Sequence, residues 1–122
     1  MEFKLDTSTE MIIGIATLPA RFDVNNCRNF KKAFSQWLQY STNIVFDCNG
    51  IIFIDSSGLG TIVSCLRKVL EQQGELKLSG LGPKASLIFE LTKAIQLFSI
   101  YPDTSSAIKS FSSMVRHENQ VL

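Results

Sequence analysis

Runs of apolar residues with a period of two alternate along this chain with runs whose period is three to four, and their order predicts an architecture. Phe3-Lys4-Leu5 and Met11-Ile12-Ile13-Gly14-Ile15-Ala16, separated by the turn-prone Thr7-Ser8-Thr9, read as two short strands. Pro19 breaks the second run. Phe30, Ala33, Phe34, Trp37 and Leu38 then recur at helical spacing behind Asp23 or Asn25 as a cap, so one face of that helix is core. Asn43 to Asp47 is a compact strand, Asn49-Gly50 marks a turn, and Ile51 to Ile54 is a further extended piece. A second apolar stripe of Leu59, Ile62, Val63, Leu66, Val69 and Leu70 predicts a long helix that stops at Gln73-Gly74. Glu75 to Ser79 alternates as a strand, and Gly80-Leu81-Gly82-Pro83 turns. Ala85 to Thr92 is a shorter helix with Leu87, Ile88 and Leu91 inward, and Phe98 to Tyr101 is a last strand. Pro102-Asp103 closes it, and Ala107, Ile108, Phe111 and Val115 predict a final helix before a polar tail from about residue 116.

The predicted order is ββαβαβαβα. Short strands alternating with helices require right-handed crossovers, so the fold class is α/β with a mixed, mostly parallel sheet of about five strands and about four helices. The 122 residues suit a single domain spanning 1–122. A content of 45% hydrophobic and 19% charged residues is that of a folded chain. Twelve basic residues against eleven acidic ones give a net charge of +1, and the cations are scattered along the sequence, so direct nucleic-acid contact is not expected; no apolar run approaches the roughly 18 residues of a membrane-spanning helix, so neither is membrane insertion. MEFKLDTSTE lacks the order of a signal peptide, and a cytoplasmic location is expected. Cys27, Cys48 and Cys65, with no CxxC pair and a single histidine, suit buried reduced thiols and no metal site.

Chemistry concentrates in one string, Ile54-Asp55-Ser56-Ser57-Gly58-Leu59-Gly60, where a strand meets the long helix. Two glycines in a first helical turn each cost about 1 kcal/mol relative to alanine, so the corner answers a requirement. A phosphate cradle lacks its third glycine, since Val63 stands near that spacing, and no lysine follows. A nucleophilic serine lacks both the GxSxG frame and a base, His117 lying in the polar tail. No enzyme and no cofactor is expected. Two readings of the string remain. Ser56 or Ser57 caps the helix while the glycines permit tight packing, with Asp55 accepting hydrogen bonds from the turn. Alternatively, the glycines keep a partner-binding surface low, and a serine beside the positive end of the helix accepts a phosphoryl group that blocks docking by charge and bulk.

The pieces ARFDVNNCRNFKKAF, NIVFDCNGIIFIDSSGLG and LSGLGPKASLIFELTKAIQLFSIYPD, spanning nearly the whole chain, resemble the bacterial anti-sigma factor antagonists, freestanding members of the STAS domain family. The resemblance implies partner switching: the unphosphorylated protein binds an anti-sigma factor that is a serine kinase of the GHKL type, phosphorylation releases it, and a serine phosphatase resets it. It implies Ser56 as the phosphoacceptor, with Ser57 the second choice, Asp23 as the acidic neighbour, and Gly58, Leu59 and Gly60 as contact surface. Arg21, Phe22, Asp55 and Thr61 complete the expected partner-binding set. Where the family often has a glycine shortly before a Leu-Asp pair, this chain has Pro19-Ala20-Arg21-Phe22-Asp23. The alternative function is a STAS regulatory subunit of another assembly, such as a lipid-transport or signalling complex, without sigma-factor output.

Overall fold

The computed structural model describes residues 2–111. Val115, His117 and the polar tail from about residue 116 lie outside the described residues. The elements in chain order are β1 (Glu2–Asp6), β2 (Ile13–Thr17), β3 (Arg21–Phe22), α1 (Cys27–Trp37), β4 (Asn43–Asp47), β5 (Phe53–Ile54), α2 (Ser56–Glu71), β6 (Glu75–Ser79), α3 (Pro83–Leu91), a 3₁₀ turn (Ala94–Leu97) and β7 (Ser99–Tyr101). Helix α4 follows, described over 104–111.

A five-stranded sheet in the order β1-β2-β4-β6-β7 forms the centre of the fold. β1 runs antiparallel to β2, with Phe3 opposite Ala16, and every other pair in it is parallel. β4 shows why the sheet lies between layers: Ile44, Val45 and Phe46 are all fully buried, although successive side chains point to opposite faces. Ile44 and Phe46 join Ala16, Leu76 and Leu78 against Phe30 and Phe34 of α1, Ile62 and Val69 of α2, and Phe89 of α3. Val45 joins Ile13 and Ile15 against Ala107, Ile108 and Phe111 of α4. Lys77, only 3% exposed, shares the α4 side; its ammonium donates to Ser110 Oγ at 2.6 Å and lies 4.1 Å from the centre of the Phe111 ring. Buried charge is tolerated there because an accepting hydroxyl, the Glu75 carboxylate at 3.5 Å and two aromatic rings meet it.

The α/β class, the strand and helix order and the mostly parallel sheet agree with the sequence expectation; several local details differ. Arg21 and Phe22, which no apolar period marks, form β3, which pairs in parallel with β5 in a separate two-stranded ribbon. α1 begins behind Asn26 without a side-chain cap, so neither Asp23 nor Asn25 caps it; Asp23 Oδ1 instead accepts the Asn25 amide at 3.0 Å. Leu70, Leu87 and Leu91 point outward, Leu91 being 75% exposed. α3 carries two competing pairs at i and i+4, Ala85 with Phe89 and Leu87 with Leu91, and the pair containing the aromatic ring is the buried one. Phe89 meets Phe98 edge-on at 5.8 Å.

Burial also governs the thiols. Desolvation pushes Cys48 and Cys65 up to about 12, with the Asp47 charge adding to the effect at Cys48. A thiol held protonated in the fold contributes its full stability below the ordinary value of 9.0 and loses it as pH rises toward about 12. Urea unfolding between pH 8 and 11 should therefore show stability falling above pH 9 by roughly 1.4 kcal/mol per pH unit for each such thiol. At pH 8 the native protein should react at Cys27 alone with a thiol reagent, because Cys48 and Cys65 are buried. Three equivalents reacting without denaturant would contradict this packing.

Candidate functional site

The site forms where β5 ends and α2 begins. Asp55 adopts an extended backbone, and its Oδ1 accepts a hydrogen bond from the Gly58 amide at 2.9 Å. This satisfies one of the amides that a helix start leaves without an intrahelical partner, a contribution of about 1 kcal/mol. The aspartate is therefore the cap, and neither Ser56 nor Ser57 fills that role; they are the first residues inside the helix. The second carboxylate oxygen, Oδ2, accepts from the Val24 amide at 3.3 Å and so ties the segment after β3 to the helix start.

That segment is held by its own side chains. Asn26 Oδ1 accepts the Asp23 amide at 3.1 Å, and Asn26 Nδ2 donates to the Arg21 carbonyl. Arg21 Nε lies 3.8 Å from Asp23 Oδ2, and its guanidinium stands 4.5 Å from the centre of the Phe53 ring. Exposed as the arginine is, the ion pair is worth less than about 1 kcal/mol, and its effect is to orient Asp23 and shield Phe53.

The residues expected at the partner surface are brought together but divide by burial. Arg21, Ser56, Ser57 and Gly60 are exposed, while Asp23 and Asp55 are half-buried. Phe22, Gly58, Leu59 and Thr61 are largely buried, although Leu59 and Thr61 each line one of the two hollows beside the start of α2. Phe22 is packed on Phe30 at 4.9 Å, and Thr61 Oγ1 donates to the Ser57 carbonyl at 2.9 Å. Gly58 lies under β3: a Cβ there would run into the Phe22 carbonyl oxygen. At Gly60 a Cβ would meet nothing within 4 Å, so of the two glycines only Gly60 presents bare backbone to solvent.

A shallow hollow flanks each side of the start of α2, with Gly60 on the ridge between them. One, of about 600 Å³, is lined by Ser56, Gly60, Val63, Arg67, Lys93 and Leu97. The other, of about 610 Å³, is lined by Val24, Arg28, Lys31, Lys32, Ser57 and Gly60. Among the described residues no hydrogen bond engages either serine hydroxyl, and both Asp55 oxygens already accept amides. The geometry thus offers two accessible hydroxyls at the positive end of a helix and, among the described residues, places no general base against them. No group of three His, Cys, Asp or Glu side chains among the described residues could hold a metal ion. No helix among them is long and apolar enough to cross a membrane.

Sequence reasoning missed Arg67 and Lys93, the cations beside Ser56, and the basic wall beside Ser57. Arg67 falls just outside the apolar stripe of α2, and Lys93 is placed by a left-handed backbone (φ 62°) after α3, which no periodicity marks.

Comparison with known proteins places this geometry among relatives. A Thermotoga maritima protein classed as an anti-sigma factor antagonist superimposes with a TM-score of 0.76 at 24% identity, over 88% of this chain and 92% of its own. The Bacillus cell fate determinant SpoIIAA in its phosphorylated form gives a TM-score of 0.63 at 18% identity, over 90% of this chain and 99% of its own. A sulfate transporter family protein from Wolinella succinogenes gives 0.75 at 12% identity, over 85% of this chain and 88% of its own. These likenesses establish the shared fold. The family model for the STAS domain matches residues 4–107, and the chain belongs to the STAS domain family.

Proposed function

We propose that this chain is an anti-sigma factor antagonist that binds a serine-kinase anti-sigma factor through the surface around Ser56 and is released when that kinase phosphorylates Ser56. The observation that carries the proposal is the identity of the helix cap. Because Asp55 caps α2, the Ser56 hydroxyl is exposed and structurally idle, free to be modified without loss of a fold contact. A phosphoryl group there would meet the free amides and positive end of α2, with Arg67 and Lys93 lining the same hollow. It would add nearly two negative charges to a surface that docks when neutral. A serine phosphatase would reverse the step. The likeness to anti-sigma factor antagonists supports the partner class.

Incubation with the cognate GHKL-type kinase and ATP, followed by peptide mass mapping, is expected to place one phosphate on Ser56 and none on Ser56→Ala. Undiminished labelling of that variant would move the acceptor to Ser57 or elsewhere. A second reading, a STAS component of another assembly, draws on the likeness to the sulfate transporter family protein. Co-purification with transporter subunits in place of a kinase would favour it.

A further inference from the structure

The hollow beside Ser57 has a charge pattern that neither the fold nor the proposed phosphorylation requires. Arg28, Lys31 and Lys32 all lie in the first half of α1, which has no acidic residue in its first turn and no basic residue in its last. This is the reverse of what a helix dipole favours, since cations are disfavoured at the N-terminal end. The same wall receives Lys68 from α2, whose ammonium donates to Ser35 Oγ of α1 at 3.3 Å. Lys31 and Lys68 both lie near enough to the Cys65 thiol for their charges to act on it. Among the described residues none of these four cations has an ion-pair partner: the pairs present are Arg21 with Asp23 and Lys77 with Glu75. In a chain of net charge +1, three cations without an ion-pair partner among the described residues line one hollow, and a fourth lies beside them on α2.

We infer that the α1–α2 trough, with Arg28, Lys31 and Lys32 on its wall and Val24 and Gly60 at its rim, receives an acidic segment of the protein partner. The identification of that partner rests on the proposed function. Charge complementarity selects the occupant's sign. The trough's extent and rim select its class. Three cations on the short α1 and one on α2 offer no extended stripe for a nucleic-acid backbone or a lipid surface. Val24, 68% exposed, and the bare backbone at Gly60 suit a polypeptide with apolar as well as acidic side chains. The trough also adjoins the Ser56 face, because Gly60 belongs to both hollows, so one partner spans the two. Docking would then combine a contact that phosphorylation abolishes with an electrostatic contact that guides encounter.

The test is an amide-detected NMR titration of the isotopically labelled protein at low salt with a capped octaglutamate peptide, an octathymidylate and vesicles containing phosphatidylserine. The peptide is expected to shift amides of residues 24–32 and 57–61 and to bind about tenfold more weakly to the Lys31→Glu/Lys32→Glu variant. Both lysines are exposed, and Lys31→Gln/Lys32→Gln supplies a milder variant should charge reversal disturb the fold. Shifts no larger in the trough than around Lys4, Lys84 and Lys109 would overturn the inference. So would tighter binding of the trough to the oligonucleotide or the vesicles than to the peptide. The assay contains neither kinase nor ATP, so unlabelled Ser56 together with a peptide-binding trough would sink the switch alone.

Discussion

Gly58→Ala is expected to destabilise the protein by about 3 kcal/mol, a fall in Tm of roughly 10 °C, whereas Gly60→Ala, two residues further along α2, is expected to add up to about 1 kcal/mol. Alanine normally improves a helix, so the opposite signs must come from surroundings. At position 58 the new methyl would be driven into the Phe22 carbonyl oxygen and would stand 3.0 Å from Ile54 Cγ1. Neither neighbour can retreat cheaply. The Phe22 carbonyl also accepts the Asp55 amide at 3.3 Å, and its ring is fully buried against Phe30, so moving β3 would disturb both the ribbon and the core. At position 60 no atom stands in the way, and the helix gains the propensity that glycine withholds. Urea denaturation of the two variants reads both signs directly. A Gly58→Ala protein as stable as its parent would mean that β3 does not press on α2. A Gly60→Ala protein that is more stable yet binds its partner less well would show that this glycine serves access.

The order of strands and helices is legible in the chain because each period ends at its own stop signal: Pro19 after β2, Gly74 after α2, and Pro83 at the first turn of α3. Even the start of α2 follows from the residues once burial is considered. Leu59, Ile62 and Val69 must face the sheet together, and a helix that begins at Ser56 with Asp55 as its cap brings them there. Three consecutive residues able to cap, Asp55, Ser56 and Ser57, hide this choice from local pattern alone. Other features have no local signature at all. β3 is two residues long, too short to show a period, and exists because Arg21 and Phe22 find Phe53 and Ile54 more than thirty positions away. The different tasks of Gly58 and Gly60 depend on the β3 backbone, which covers the first and leaves the second open. The basic trough assembles only when α1 packs on α2, so cations that look scattered along the chain become neighbours.

Ser56→Asp is expected to weaken binding to the anti-sigma factor by about 100-fold or more while leaving folding stability within about 1 kcal/mol of the parent. The two quantities separate because the added charge meets opposite conditions in the free and bound states. In the free protein the carboxylate sits in the first turn of α2, where the helix dipole favours it, and shares its hollow with Arg67 and Lys93. The adjacent Asp55 carboxylate opposes it, so these solvent-screened effects nearly cancel. In the complex the same charge would be stripped of water against a surface built for a neutral hydroxyl, and burying an unpaired or like-paired charge costs several kcal/mol. Titration calorimetry against the kinase, paired with thermal unfolding of the free variant, measures both terms. Undiminished affinity would mean that Ser56 lies outside the docking surface. Loss of the cooperative thermal transition would mean that the hydroxyl is part of the fold, although Asp55 already caps the helix.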